Sequence, residues 1–117
     1  NDDVIRGLVS RVRDQYPEGR MRLGLVGVSY KPETEVLERS PAVRLVQELE
    51  QDLREVWFWD THVEERDFAL ATHTNVIVTK VEQREALMTC NVIVLCHDDP
   101  GALLVLNDHP NLVDPWK

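Results

Sequence analysis

The sequence predicts a three-layer α/β domain: a mostly parallel sheet of about five strands with helices on both faces. Short apolar runs (MRLGLVGV, EVWFWD, NVIVT, NVIVLC and Leu112-Val113) alternate along the chain with stretches of helical periodicity. The first runs are apolar on both faces, as strands covered from two sides must be. Between the first run and the helix after it lies a polar loop, Gly27 to Ala42, closed by Ser40-Pro41. Ser is a good N-cap and Pro fits the first helical turn.

At the start of the chain Val4, Ile5, Leu8, Val9 and Val12 recur at helical spacing. Residues 1–16 therefore form an amphipathic helix, with Asn1, Asp2 and Asp3 suited to its start and Pro17 and Gly19 ending it. Met21 to Val28 is the first and central strand. Ala42, Leu45, Val46, Leu49 and Leu53 put a helix over residues 40–52. Glu55 to Asp60 is the second strand, with Val56 and Phe58 on one face and Trp57 and Trp59 on the other. Residues 62–72 carry a loose helical pattern through Val63, Phe68 and Leu70. Asn75 to Thr79 is a brief strand, and Val81 to Thr89 a helix with Val81, Leu87 and Met88 inward. Asn91 to Cys96 is the fourth strand, Ala102 to Leu106 a short helix or turn, and Leu112-Val113 the last strand.

At 117 residues the chain is one domain, residues 1–117, large enough for a real core. No apolar run reaches the ~20 residues needed to cross a bilayer. A net charge of −8 argues against nucleic acid or an anionic membrane as partner. A phosphorylated small ligand stays compatible, since a few local cations suffice. Cys90 and Cys96 bracket a strand, on one face and about 20 Å apart, too far to pair. Two unpaired thiols read as small buried hydrophobes and fit a reducing cytoplasm.

Three places carry polar groups where an α/β sheet binds ligands, at the C-terminal ends of its strands. The first is the Gly27–Ala42 loop with Tyr30, Lys31, Arg39 and Ser40, and the second is His97-Asp98-Asp99 after the fourth strand. The third is Asp114-Pro115-Trp116-Lys117 at the chain's end. His97 reads either as a ligand residue or as a side chain packed on the next helix. Asp60 reads either as a carboxylate shaping the site or as a helix cap for the segment after it. Gly24 and Gly27 lack the further glycines of a dinucleotide fingerprint at their required offsets, and His62, His73 and His109 keep no metal-ligand spacing to His97.

The loop GVSYKPETEVLERSPA resembles the start of the C-terminal, UDP-sugar-binding domain of the UDP-glucose/GDP-mannose dehydrogenases, including the UDP-N-acetylmannosamine dehydrogenase branch. That family typically reads G-x-[AS]-[FY]-K-P-N-x-D-D-x-R-E-S-P-A there. Gly27, Ser29, Tyr30, Lys31, Pro32, Ser40, Pro41 and Ala42 match. Glu33 stands for Asn, Glu35 and Val36 for the Asp pair, and Glu38-Arg39 inverts Arg-Glu. Trp116 stands where the family's last strand often carries a cation, with Lys117 one step later.

The resemblance implies a Rossmann-like domain that binds the UDP part of a UDP-sugar through Tyr30, Lys31, Arg39, Ser40, His97 and Trp116. It also implies that oxidation of the sugar's C6 alcohol to a carboxylate, the cysteine that performs it and NAD belong to upstream domains. The first helix (residues 1–18) then continues from an upstream dimerisation region, and a homodimer is expected; alternatively it simply covers its own sheet. The chain alone is expected to oxidise nothing, because neither Cys sits beside cations at a helix start. A non-catalytic relative serving assembly or regulation, and an unrelated dinucleotide-binding domain, are the other readings. Glu33, Glu35 and Glu38 add negative charge and predict a UDP site weaker than the family's.

Overall fold

In a computed structural model, which describes residues 2–116, β1 (Met21–Val26) lies at the centre of a five-stranded, all-parallel sheet. The other strands are β2 (Leu53–Trp59), β3 (Ile77–Lys80), β4 (Val92–Leu95) and β5 (Leu112–Val113). Their order across the sheet is β3-β2-β1-β4-β5. The chain steps outward from β1 to β3, crosses back over the centre, and continues from β4 to β5. The seam between β1 and β4, where Leu23 pairs with Val92 and Val26 with Leu95, is therefore the point at which the winding reverses.

The period-two pattern of the strands divides the core in two. Leu23, Leu25, Val56, Phe58, Val78, Val92 and Val94 face one side. There they meet α1 (Asp2–Gln15), α2 (Pro41–Glu48) and α3 (Glu65–Thr72) through Ile5, Leu8, Val12, Leu45, Val46 and Phe68. Val26, Ile93 and Leu95 face the other side, under α4 (Pro100–Leu106) and a 3-10 segment, Arg84–Thr89. The expected three-layer, Rossmann-like domain is what the chain forms.

The 3-10 segment corrects the helix expected over Val81 to Thr89. The connection must pass over β2 and β1, roughly 14 Å of sheet. Within that connection, Arg84–Thr89 rises about 2 Å per residue as a 3-10 helix against about 1.5 Å for an α-helix, which helps it across. Its threefold period buries Leu87 and leaves Met88 exposed, not inward. With so short a cover, Trp57 and Trp59 on this face are topped by side chains. The Arg22 guanidinium lies 4.1 Å over Trp57, and that of Arg84 3.8 Å over Trp59.

Smaller differences sit at the edges. The second helix ends at Glu48 and gives way to a 3-10 turn, Glu50–Asp52. Val4 and Leu70 point outward. The two cysteines pack against opposite sides of the sheet, Cys90 with Ile93 and Cys96 with the α1–α3 side. The strand spans only Val92–Leu95, so the alternation that would put them on one face does not run through either residue. His109 is buried; its Nδ1 accepts from the Asn111 amide at 3.0 Å and its Nε2 donates to the Cys90 carbonyl at 2.7 Å, tying β5 to the start of β4.

Burial pushes both thiols up from an ordinary value near 9 to about 12. At Cys90 burial outweighs the opposite pull of Arg22. A raised folded-state value stabilises the fold fully below pH 9, and that contribution is lost as the pH climbs toward 12. The urea midpoint should therefore fall between pH 9 and 10.5, and the fall should be shallower in a Cys90→Ala/Cys96→Ala double variant. An identical slope in the two proteins would show the thiols to be uninvolved.

Candidate functional site

All strands are parallel, so their C-terminal ends share one edge, and the loops leaving β1, β2 and β4 meet there. Gly27 opens the first loop. Its amide donates to the Trp59 carbonyl at 2.9 Å, extending the β1–β2 ladder by one bond. Its φ of +77° lies in the region L side chains disfavour. A β-carbon built on it would stand 2.1 Å from His97 Nδ1. Gly27 thus lets the imidazole from the β4 loop lie against the β1 loop backbone. His97 Nε2 lies 3.1 Å from the Ser29 carbonyl and 3.5 Å from Ser29 Oγ, and that hydroxyl donates to the Lys31 carbonyl at 2.7 Å. The ring therefore lies against the loop of the first candidate site.

Asp60 is buried and holds three backbone amides. One oxygen accepts from Val28 at 2.8 Å; the other accepts from His62 at 2.8 Å and Val63 at 3.2 Å. It caps the turn after β2 and at the same time fixes the β1 loop. The next helix, α3, has Glu64 at its N-cap instead. Ser40 is buried as well, donating to the Val28 carbonyl and accepting from the Val43 amide at 3.2 Å, which makes it the N-cap of α2.

Two adjoining hollows result. The larger, about 480 Å³, is bounded by Tyr30, Lys31, Pro41, Cys96, His97 and Trp116, with Val4 and Leu8 of α1 at one side. The smaller, about 250 Å³, has Trp59, Asp60, His62, Arg84 and Asp99 in its wall. Pro32, His97 and Asp98 border both. Four of the six residues singled out in the sequence, Tyr30, Lys31, His97 and Trp116, come together around the larger hollow. Ser40 and Arg39 do not line it: Ser40 lies beneath the loop, and Arg39 is exposed with φ +62°. Lys117 lies outside the described residues.

Arg84 is the residue the sequence pattern does not disclose. It sits in a stretch that reads as an ordinary surface helix, yet it reaches the smaller hollow and pairs with Asp99, at 3.1 and 3.3 Å. Asp99 also caps α4 through the Ala102 amide. Among the described residues no cluster of His, Cys, Asp and Glu could hold a metal ion, and no helix is long and apolar enough to cross a membrane.

The chain is similar in sequence to the UDP binding domain of the UDP-glucose/GDP-mannose dehydrogenase family, whose profile matches residues 24–114. No curated protein matches it. Among solved structures it resembles a UDP-glucose dehydrogenase from the hyperthermophilic archaeon Pyrobaculum islandicum. The TM-score is 0.80 and the identity 22%, over 97% of this chain and 26% of that one. It also resembles a UDP-D-ManNAc dehydrogenase from Pyrococcus horikoshii, with TM-score 0.62 and 17% identity over 96% of this chain and 26% of that one. At these identities the likeness is one of fold, and the chain spans about a quarter of the length of either structure.

Proposed function

Since the chain belongs to the UDP-glucose/GDP-mannose dehydrogenase family through its UDP binding domain, we propose that it holds the UDP part of a UDP-sugar for oxidation by other domains. The convergence of Tyr30, Lys31, His97 and Trp116 on one hollow at the β1/β4 seam carries this reading. A ligand bound there lies outside the carboxyl ends of the strands, where open parallel sheets bind nucleotides. Lys31 supplies a cation to a phosphate, and Trp116 a face to a base. His97, packed on Gly27 and Ser29, sets the floor between the two hollows.

NAD does not fit the corresponding loop of this chain. The space over Gly27, which a dinucleotide fold leaves open to the pyrophosphate, is filled by the His97 ring, and that over Gly24 by Cys90. Asp60, at the position of a ribose-binding acid, has both oxygens engaged by backbone amides. In the proposed function the cofactor, and the oxidation of the sugar's C6 alcohol, belong to upstream domains of a cytoplasmic, homodimeric enzyme. This chain alone binds without oxidising. The second reading, a non-catalytic relative, draws support from the acidic Glu33 and Asp98 at the groove.

Titration calorimetry with UDP-glucose, UDP-ManNAc, UDP and NAD tests the proposal. Binding of the UDP compounds, weaker than micromolar, with no heat from NAD is the expected result. Binding of NAD in preference to every UDP compound would replace the proposal with a dinucleotide domain, and silence from all four would favour the non-catalytic relative.

A further inference from the structure

The groups around the larger hollow are unequal to the two halves of a nucleoside diphosphate. A diphosphate wants paired cations and free amides. At the start of α2, Pro41 has no N–H, Val43 donates to Ser40 Oγ, and Arg44 donates to the Ser40 carbonyl at 3.3 Å. Only the Ala42 amide is left of that first turn. Arg84, the cation of the neighbouring hollow, is held bidentately by Asp99. Arg39 is no part of either wall, and Asp98 borders both hollows. Lys31 is therefore the one lysine or arginine among the described residues lining the larger hollow.

A base is served far better. Trp116 is held by its own polar atoms: Nε1 donates to the Leu95 carbonyl at 3.2 Å, and its amide donates to Asp114 at 3.0 Å. The indole of a half-exposed residue is thus fastened to the end of β4 rather than left to swing. Tyr30, Pro32 and Pro41 supply further flat or apolar wall, and about 480 Å³ suits a bound nucleoside.

We propose that this domain recognises its ligand chiefly through the nucleoside, with Trp116 as the base-stacking residue and the diphosphate contributing little. The proposal rests on the UDP-binding reading above and deepens it: uridine itself is a ligand. Stacking on an aromatic side chain is nearly insensitive to salt, whereas phosphate binding is not.

Titration of the chain with uridine, UMP and UDP, at 50 and 500 mM NaCl, is the test. Uridine should bind within about fivefold of UDP, with little change between the two salts, and quench tryptophan fluorescence. Trp116→Ala should weaken uridine and UDP alike, by about ten- to a hundredfold, and Tyr30→Ala should weaken both as well. Lys31→Ala should weaken UDP by no more than about fivefold. UDP binding more than thirtyfold tighter than uridine and falling steeply with salt would overturn the inference while leaving the UDP-binding reading intact. If neither uridine nor UDP binds, that reading fails too. A dimer in sedimentation that dissociates on Trp116→Ala, with no nucleoside bound, would mean that a second copy fills the hollow and would overturn the proposal.

Discussion

Gly27→Ala should destabilise the domain by about 3–5 kcal/mol, seen as a lowered urea midpoint with unchanged slope. Two causes combine. A residue with a β-carbon at φ +77° costs about 1–2 kcal/mol. The new methyl would also stand 2.1 Å from His97 Nδ1, well inside contact distance, so the ring must leave. Its approach to the Ser29 carbonyl then goes as well. The clash is separable from the backbone strain. In a His97→Ala background the same substitution should cost only the backbone part, so the double variant should be more stable than the sum of the singles by about 1–3 kcal/mol. Additive costs would show that the imidazole moves aside freely and does not hold the loop.

Asp60→Ala is the second large effect, at about 3–4 kcal/mol. It removes the acceptor from the amides of Val28, His62 and Val63, beneath two loops. An unsatisfied buried donor costs about 1–3 kcal/mol, and water can reach the exposed His62, though not the buried Val63, to soften part of the loss. Asp60→Asn keeps one acceptor and should recover about half. Because one carboxylate joins the β1 loop to the β2 turn, ligand affinity should fall further in Asp60→Ala than in a comparably destabilised core variant such as Leu49→Ala. Equal affinities in the two would show that the β1 loop holds its shape without Asp60.

The strands were readable because burial on two faces leaves a mark that needs no tertiary knowledge: LGLV and VIVL are apolar whichever way they face. The N-cap of α2 was readable for the same local reason, in Ser40 and Pro41. What escaped depended on distance across the fold. Nothing in Val81 to Thr89 states how far the chain must travel to reach β4, so the 3-10 segment and the outward turn of Met88 could not be foreseen. Asp60 reads as a cap from its neighbours alone; its bond to Val28 joins residues 32 apart. Arg84 and Asp99 are equally remote from one another's local pattern. Glu33 stands where the family places Asn, and its φ of +65° gives the departure a meaning, since Asn tolerates that backbone region and Glu does so poorly.

The pairing of Leu23 with Val92 also bears on how the molecule comes together. From α1 to β3 each strand can find its neighbour soon after it is made, with one helix between β1 and β2 and one between β2 and β3. The β1–β4 seam instead joins segments from opposite halves of the chain and requires a long loop to close, a slow and entropically costly step. A half-assembled chain would possess β1, β2 and the Tyr30 loop but neither His97 nor Trp116, and so no hollow between them. On the proposed function, a nucleotide bound at the seam would clasp together two segments that lie far apart in the sequence and so favour the assembled sheet.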